Sequence, residues 1–169
     1  MKYLYCYKKS QCLSDSAKKY DNGDIKVFTP KIWRLSLHKE PRSLKTLAVR
    51  LLFQFTTRGK AKIYYMTNSD ELMHTSYVVP QCNKFPFLGK NDYEIGPCFT
   101  YPKHRGKGIY PYVLRHICNS FGNSDTTFYM IVDDANIASI KGIEKAGFIK
   151  YGVVEVSKYT KRYKLVKTY

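Results

Sequence analysis

A change of hydrophobic period across one short loop constrains this chain more than any other feature. Residues 92–101, DYEIGPCFTY, read as a strand, with Gly96-Pro97 set to interrupt its pairing because proline lacks a donor and glycine tolerates a bulge. Past the loop PKHRGKG, the residues Val113, Leu114, Ile117, Cys118 and Phe121 recur at helical spacing, which predicts a helix over about 110–121. Pro111 suits the first helical position, where no N–H is missed. A strand, a glycine-rich loop and a helix together hold phosphate well. The first-turn N–H groups and the helix dipole favour an anion, and missing side chains let its oxygens approach. Gly106 and Gly108 supply the approach; Arg105, Lys107 and Lys103 supply charge.

The flanking chain predicts an α/β class with a mixed sheet. KYLYCY (2–7) and DIKVFT (24–29) alternate as strands, and the polar stretch 10–23 reads as a loop or frayed helix. Leu44, Leu47, Ala48, Leu51, Leu52 and Phe55 make an apolar stripe on a basic helix over about 43–57, closed by Gly59, and core packing is the expected fate of that stripe. A hairpin follows, turning at Asn68-Ser69-Asp70. TTFYMIV (126–132) suits a strand buried on both faces. NIASIKGIEKAGF predicts a helix capped by Asn136, stopped at Gly147, with Ile137, Ile140 and Ile143 inward. GVVEVSKY and KRYKLVKTY close the chain as a further hairpin. At 169 residues this reads as one domain, 1–169.

Charge and cysteine content narrow the function classes. The formal net charge is +16, and residues 1–60 carry most of it, with 14 Lys/Arg against 4 Asp/Glu. Such a field attracts polyanions without specifying a fold. Five cysteines with no C-x-x-C pair fit reduced thiols in a cytoplasmic protein and argue against a structural metal. The N-terminus lacks the long apolar centre of a signal peptide, and no run reaches membrane-spanning length. The nucleotide signatures G-x-x-x-x-G-K-[ST] and G-x-G-x-x-G are absent.

Two segments, TYPKHRGKGIYPYVL and NIASIKGIEKAGF, resemble the signature segments of the GNAT superfamily of acyl-CoA-dependent N-acyltransferases. The former is similar to the [RQ]-x-x-G-x-[GA] loop through Arg105 and Gly108; the latter resembles the Asn-to-Gly-Phe helix, here Asn136 to Gly147-Phe148. The resemblance covers about 61–156 in element order. It implies a mostly antiparallel sheet flanked by helices, with a splayed central strand pair, and acetyl-CoA as acyl donor with no metal. On this reading 61–156 is the acyl-CoA-binding core and 1–60 the variable acceptor side. It places backbone groups of Phe99, Thr100 and Tyr101 along the pantetheine arm, and Arg105, Gly106, Lys107, Gly108, Ile109 and Tyr110 around the pyrophosphate. Asn136 and Ser139 fall at the cofactor's edge, and Lys145 within possible reach of a phosphate.

The chain departs from the pattern twice. Tyr110 stands where the loop motif ends in Gly or Ala, and Ile143 stands where the family often carries a Tyr that protonates the departing thiolate. Transfer to an amine needs a base; Glu94 is favoured over Asp92, both lying on the strand that leads to the gap. Tyr110 and Tyr101 are candidates for the acid. His74 reads as an exposed strand histidine, His104 as solvated, and Cys98 as a buried thiol rather than a nucleophile.

The expected activity is acetyl transfer from acetyl-CoA to a primary amine by direct attack. A small acidic amine such as an amino sugar is favoured on charge alone. The alternatives are a non-catalytic CoA-binding module and a basic nucleic-acid-binding domain, although no nucleic-acid motif accompanies the charge. A peripheral membrane contact through the helix 43–57 and a monomer or a homodimer remain compatible with the sequence.

Overall fold

The computed structural model describes residues 2–10, 23–37, 40, 43–69, 71–120 and 125–169. Cys12, Arg42, Asp70 of the predicted turn, Phe121 of the predicted helix face and most of the polar stretch 10–23 lie outside the described residues. In chain order the elements are β1 (Lys2–Ser10), β2 (Asp24–Phe28), α1 (Leu44–Thr56), β3 (Lys62–Asn68), β4 (Glu71–Pro80), β5 (Tyr93–Thr100), α2 (Ile109–Ser120), β6 (Thr127–Val132), α3 (Ile137–Lys145), β7 (Ile149–Val156) and β8 (Tyr163–Thr168). A single 3-10 turn, Pro102–His104, joins β5 to the loop before α2. They form the α/β class expected: one eight-stranded sheet, ordered β2-β3-β4-β5-β6-β1-β7-β8, flanked by helices.

Alternation along the strands sorts apolar side chains into two cores. On one face Tyr64, Met66, Met73 and Val78 pack with Phe128 and Met130 under Val113, Leu114 and Ile117 of α2 and Ile143 of α3. On the other face Ile63, Tyr77, Val79, Phe85 and Leu88 pack with Phe53 of α1. The strand β6 serves both, since Tyr129 and Ile131 reach the second core while Phe128, Met130 and Val132 fill the first. The N-terminal strand β1 lies between β6 and β7, antiparallel to both, a placement its alternation alone does not reveal.

Pairing between β5 and β6 positions the site. These strands run parallel and pair only at Tyr93↔Phe128 and Glu94↔Tyr129, so the sheet opens beyond Glu94. On its other edge β5 stays paired with β4 as far as Thr100, with a register shift between Ser76 and Val78 opposite the Gly96-Pro97 step. Among the described residues no helix is long and apolar enough to cross a membrane.

Three expectations change. Ile137 is 55% exposed rather than inward, because it opens the first turn of α3, ahead of the stretch that meets the core. Pro111 is the third residue of α2, not the first, still within the turn whose N–H groups lack intrahelical partners. The larger correction concerns α1, whose apolar stripe faces outward. Leu44 is 85% exposed and Phe55 66%, whereas Arg50 is fully buried beside Phe53. Arg50 donates from Nε to the Tyr77 hydroxyl (2.9 Å), from Nη1 to the Leu35 carbonyl (2.7 Å) and from Nη2 to Glu40 Oε1 (2.8 Å). A guanidinium with every face occupied is stable in a core only while its carboxylate stays.

Arg50→Ala should therefore lose about 3 kcal/mol or more of stability, as for other broken buried ion pairs. Leu44→Ser and Phe55→Ser should each stay within about 0.5 kcal/mol of the parent. Urea midpoints of the three variants test this orientation; a reversed ranking would refute it.

Candidate functional site

Two glycines shape the loop that enters α2. Gly106 and Gly108 both hold φ near +75° (+74° and +75°), in the left-handed region that side chains disfavour, and a Cβ on either would meet no atom within 4 Å. Their conformation turns the chain so that the amides of Gly106, Gly108, Ile109 and Tyr110 make no backbone hydrogen bond among the described residues. These donors sit at the positive end of a 12-residue helix. The geometry fits an anion that approaches the backbone closely.

A cleft of about 570 Å³ runs from this loop to α3. Of the residues that the sequence marks for the cofactor, Phe99, Thr100, Arg105, Gly106, Gly108, Ile109, Tyr110, Asn136 and Ser139 line it; Tyr101 and Lys107 do not. The Tyr101 N–H donates to the Met73 carbonyl (3.0 Å), so its backbone faces β4. By the two-residue period of a strand, Phe99 faces β4 as well, and the groups turned to the gap belong to Thr100 and Cys98. Arg105 donates from Nε to the Thr100 carbonyl (3.0 Å) and lies over the Phe99 ring, leaving both Nη groups for an anion. Asn136 caps α3, its Oδ1 accepting from the Ser139 N–H (3.1 Å). Lys145 does line the cleft, joined by Lys141 one turn earlier on α3. Lys141 escaped the sequence reading, although its four-residue spacing from Lys145 puts both on one helix face.

A second cavity, of about 380 Å³, meets the first at Cys98, Tyr110, Asn136 and Ser139. Glu94 lines it at the fork of the sheet, 5% exposed, with Oε2 lacking any hydrogen-bond partner. Gly96 makes room for that carboxyl, since a Cβ there would stand 2.5 Å from Glu94 Oε1. Burial pushes the Glu94 carboxyl up to about 8, against a smaller opposing pull from Lys84. The other carboxylate considered, Asp92, instead braces a loop, accepting from the Gly89 N–H (2.8 Å) and the Thr127 N–H (3.2 Å).

Tyr110 stands between the two cavities. Its ring nests against α3 where residue 142 is glycine; a Cβ there would collide with the ring. A mid-helix glycine is otherwise unfavourable, and this contact accounts for it. Ile143 is buried in the first core, so the phenol beside the cleft comes from residue 110 and not from 143. The Tyr110 phenol and the Cys98 thiol act on one another, and burial raises both groups, the thiol to about 12. Behind Cys98 runs a chain of hydrogen bonds: the Ser76 hydroxyl donates to Cys98 Sγ (3.1 Å), His74 Nε2 lies 2.7 Å from Ser76 Oγ, and His74 Nδ1 lies 2.7 Å from Thr100 Oγ1.

His74 is thus fully buried, not exposed as its strand position suggested, and burial lowers its ring to about 3. His104 is also buried rather than solvated, with Nε2 3.3 Å from Glu71 Oε2. No sequence signal marks the bonded series 74–76–98, because its members come from two strands.

No protein-family model matches the chain, and none of the curated proteins does. Among solved structures it is similar to an acetyltransferase of the GNAT family from Colwellia psychrerythraea (12% identity, TM-score 0.60, 89% of this chain and 54% of that one). It is similar also to a functionally unknown conserved protein from Staphylococcus epidermidis (8%, 0.61, 89% and 58%). A third, from Novosphingobium aromaticivorans and described as a GNAT-family acetyltransferase, gives 14%, 0.54, 90% and 62%. The fold is GNAT-like. The chain spans between 54% and 62% of the length of these structures. The sheet opens where Glu94, Cys98 and Tyr110 converge.

Two outcomes follow from this geometry. The folded Glu94 carboxyl keeps its proton up to about pH 8, whereas the unfolded one loses it near 4.5, so between those values the folded state binds the extra proton and stability falls as pH rises. His74 works in the opposite sense: its folded ring near 3 against 6.5 unfolded makes stability fall as pH drops below 6.5. Glu94→Gln should remove only the first slope, so its melting temperature should gain on the parent steadily between about pH 5 and pH 8.5; a constant difference would contradict the burial. Gly142→Ala should displace the Tyr110 ring while the helix, which favours alanine, stays folded. The check is tyrosine-110 proximity by NMR contacts to α3, which should be lost at unchanged far-UV dichroism.

Proposed function

We propose that this chain transfers an acetyl group from acetyl-CoA to a primary amine by direct attack. The observation that carries the reading is the fork beyond Glu94: the cavity that holds Glu94 meets, at Cys98 and Tyr110, the cleft lined by the anion-receptive loop. Acetyl-CoA would supply an activated thioester carbonyl. The residues fit it: the amides of Gly106, Gly108, Ile109 and Tyr110 and the Nη groups of Arg105 would take the diphosphate, with Lys141 and Lys145 adding charge from α3. The gap-facing backbone of Cys98 and Thr100 would lie along the pantetheine arm, and Asn136 and Ser139 would border it.

Each reacting group has a stated proton role. Glu94, held near neutrality by burial, would take the proton of the incoming amine, since a base titrating close to the working pH is best matched to that task. As the new C–N bond forms and the C–S bond breaks, the sulfur needs a proton. Tyr110, whose phenol burial keeps protonated beside the cleft, would supply it. Its ring is held between Gly142 of α3 and the His74 ring, 5.8 Å away between centroids. A Cys98 thiol raised to about 12 is a poor nucleophile, which favours direct transfer over a covalent enzyme intermediate.

CoA and acetyl-CoA should raise the melting temperature, dephospho-CoA less so, and pantetheine barely, because a ligand that prefers the folded state stabilises it. Gly108→Glu, which sets a carboxylate among the loop amides, should abolish the shift. With an amine that reacts, Glu94→Gln should lower kcat by about 100-fold or more, the scale of a lost general base. Absence of any CoA shift would overturn the reading.

A further inference from the structure

The second cavity holds a cation that the fold keeps in place without neutralising. Lys84 lines it, and its ammonium lies over three rings: Phe85 at 5.0 Å, Phe53 at 5.3 Å and Tyr163 at 5.4 Å from their centroids. Aromatic faces attract a cation and restrict its position, yet they carry no net charge. Among the described residues no carboxylate lies within ion-pair distance of Lys84. The other acid on the cavity wall, Asp133, is ion-paired with Lys2.

Glu94 shares this cavity, and its Oε2 is buried with no hydrogen-bond partner. A buried carboxylate oxygen without a partner is unfavourable unless something brought into the site bonds to it. The cavity therefore presents two polar points set among Val49, Phe53, Phe85, Ile131 and Tyr163, with Asn136 and Ser139 on the side toward the cofactor cleft. One is the Glu94 carboxyl at the fork, in the cavity that Tyr110 also lines; the other is a positioned cation. At about 380 Å³ it has the volume of a small-molecule site.

We infer that the acceptor is a small amine that also carries an anionic group, carboxylate or phosphate, with its nitrogen at Glu94 and its anion at Lys84. This rests on the acetyl-transfer reading and extends it to the substrate class. The ring walls would exclude water around the Lys84 contact, where a charge-assisted bond is stronger than at an open surface. A polyamine would be disfavoured, since it would bring a second positive charge to Lys84.

The test uses matched amines and acetyl-CoA, with CoA release as the readout: ethanolamine against O-phosphoethanolamine, propylamine against β-alanine, and glucosamine against glucosamine 6-phosphate. The phosphate and carboxylate pairs tell the two anion types apart. The anionic member of at least one pair should show a kcat/KM about tenfold or more above its neutral match, on the scale of one charged hydrogen bond. Lys84→Met, which keeps the stem against the rings, should bring that ratio to about one through KM, and Lys84→Arg should restore part of it.

The variants' melting shift with CoA should persist, which shows that they fold and that the cofactor cleft is intact. If CoA shifts the parent but neutral amines or spermidine react best, or Lys84→Met lowers both members of a pair equally, the inference falls and acetyl transfer stands. If no amine reacts, the same pairs added with CoA should raise the melting temperature of the parent only for anionic members. No such difference would also overturn it. A parent without a CoA shift would instead bring down the transfer reading beneath it.

Discussion

The site depends on one constraint: two parallel strands that pair for two residues and then part. Tyr93 and Glu94 find partners on β6, and everything beyond Glu94 on that edge of β5 is left without a strand neighbour. Buried backbone groups need hydrogen bonds, so a gap of this kind inside a sheet persists only if its other edge is secure and something can enter from outside. The β4 ladder supplies the security, continuing to Thr100. Because the gap begins at Glu94, that residue lies at once in the sheet and in a cavity, and burial there shifts its proton affinity toward neutrality.

Around the fork, glycines set where polar groups can go. Gly96 admits the Glu94 carboxyl, Gly142 admits the Tyr110 ring, and Gly106 with Gly108 turns the loop so that its amides stay available. Two of these act through missing side chains and two through backbone angles. The effect is to gather a carboxyl from β5 and, from α2 and the loop before it, a phenol and a row of N–H donors around two adjoining cavities.

The opposite face of the sheet is organised by charge. Arg50 reaches the Tyr77 hydroxyl on β4, the Leu35 carbonyl and Glu40, and so rotates α1 until its guanidinium is inside. Phe53 follows it inward, one step around the helix, and becomes both a core residue and a wall of the second cavity. The Leu-rich stripe is left on the surface as a consequence. Burial of one fully bonded cation, together with its aromatic neighbours, has outweighed burial of the stripe.

Local pattern alone determined the element order from the first strand to the last hairpin, the α/β class, the loop that precedes α2 and the cap at Asn136, because these follow from hydrophobic period, glycine and capping chemistry within a few residues. The candidate residues Glu94 and Tyr110 were also legible, as a carboxylate and a phenol flanking that loop. Tertiary structure alone decided the outward turn of α1, since Arg50's partners at 35, 40 and 77 are distant in sequence and a periodicity cannot see them. It decided likewise the insertion of β1 between β6 and β7, the burial of His74, and the meeting of Lys84 with rings from 53, 85 and 163. Each of these is a pairing between remote segments, and such pairings depend on how the cores close rather than on any local preference of the chain.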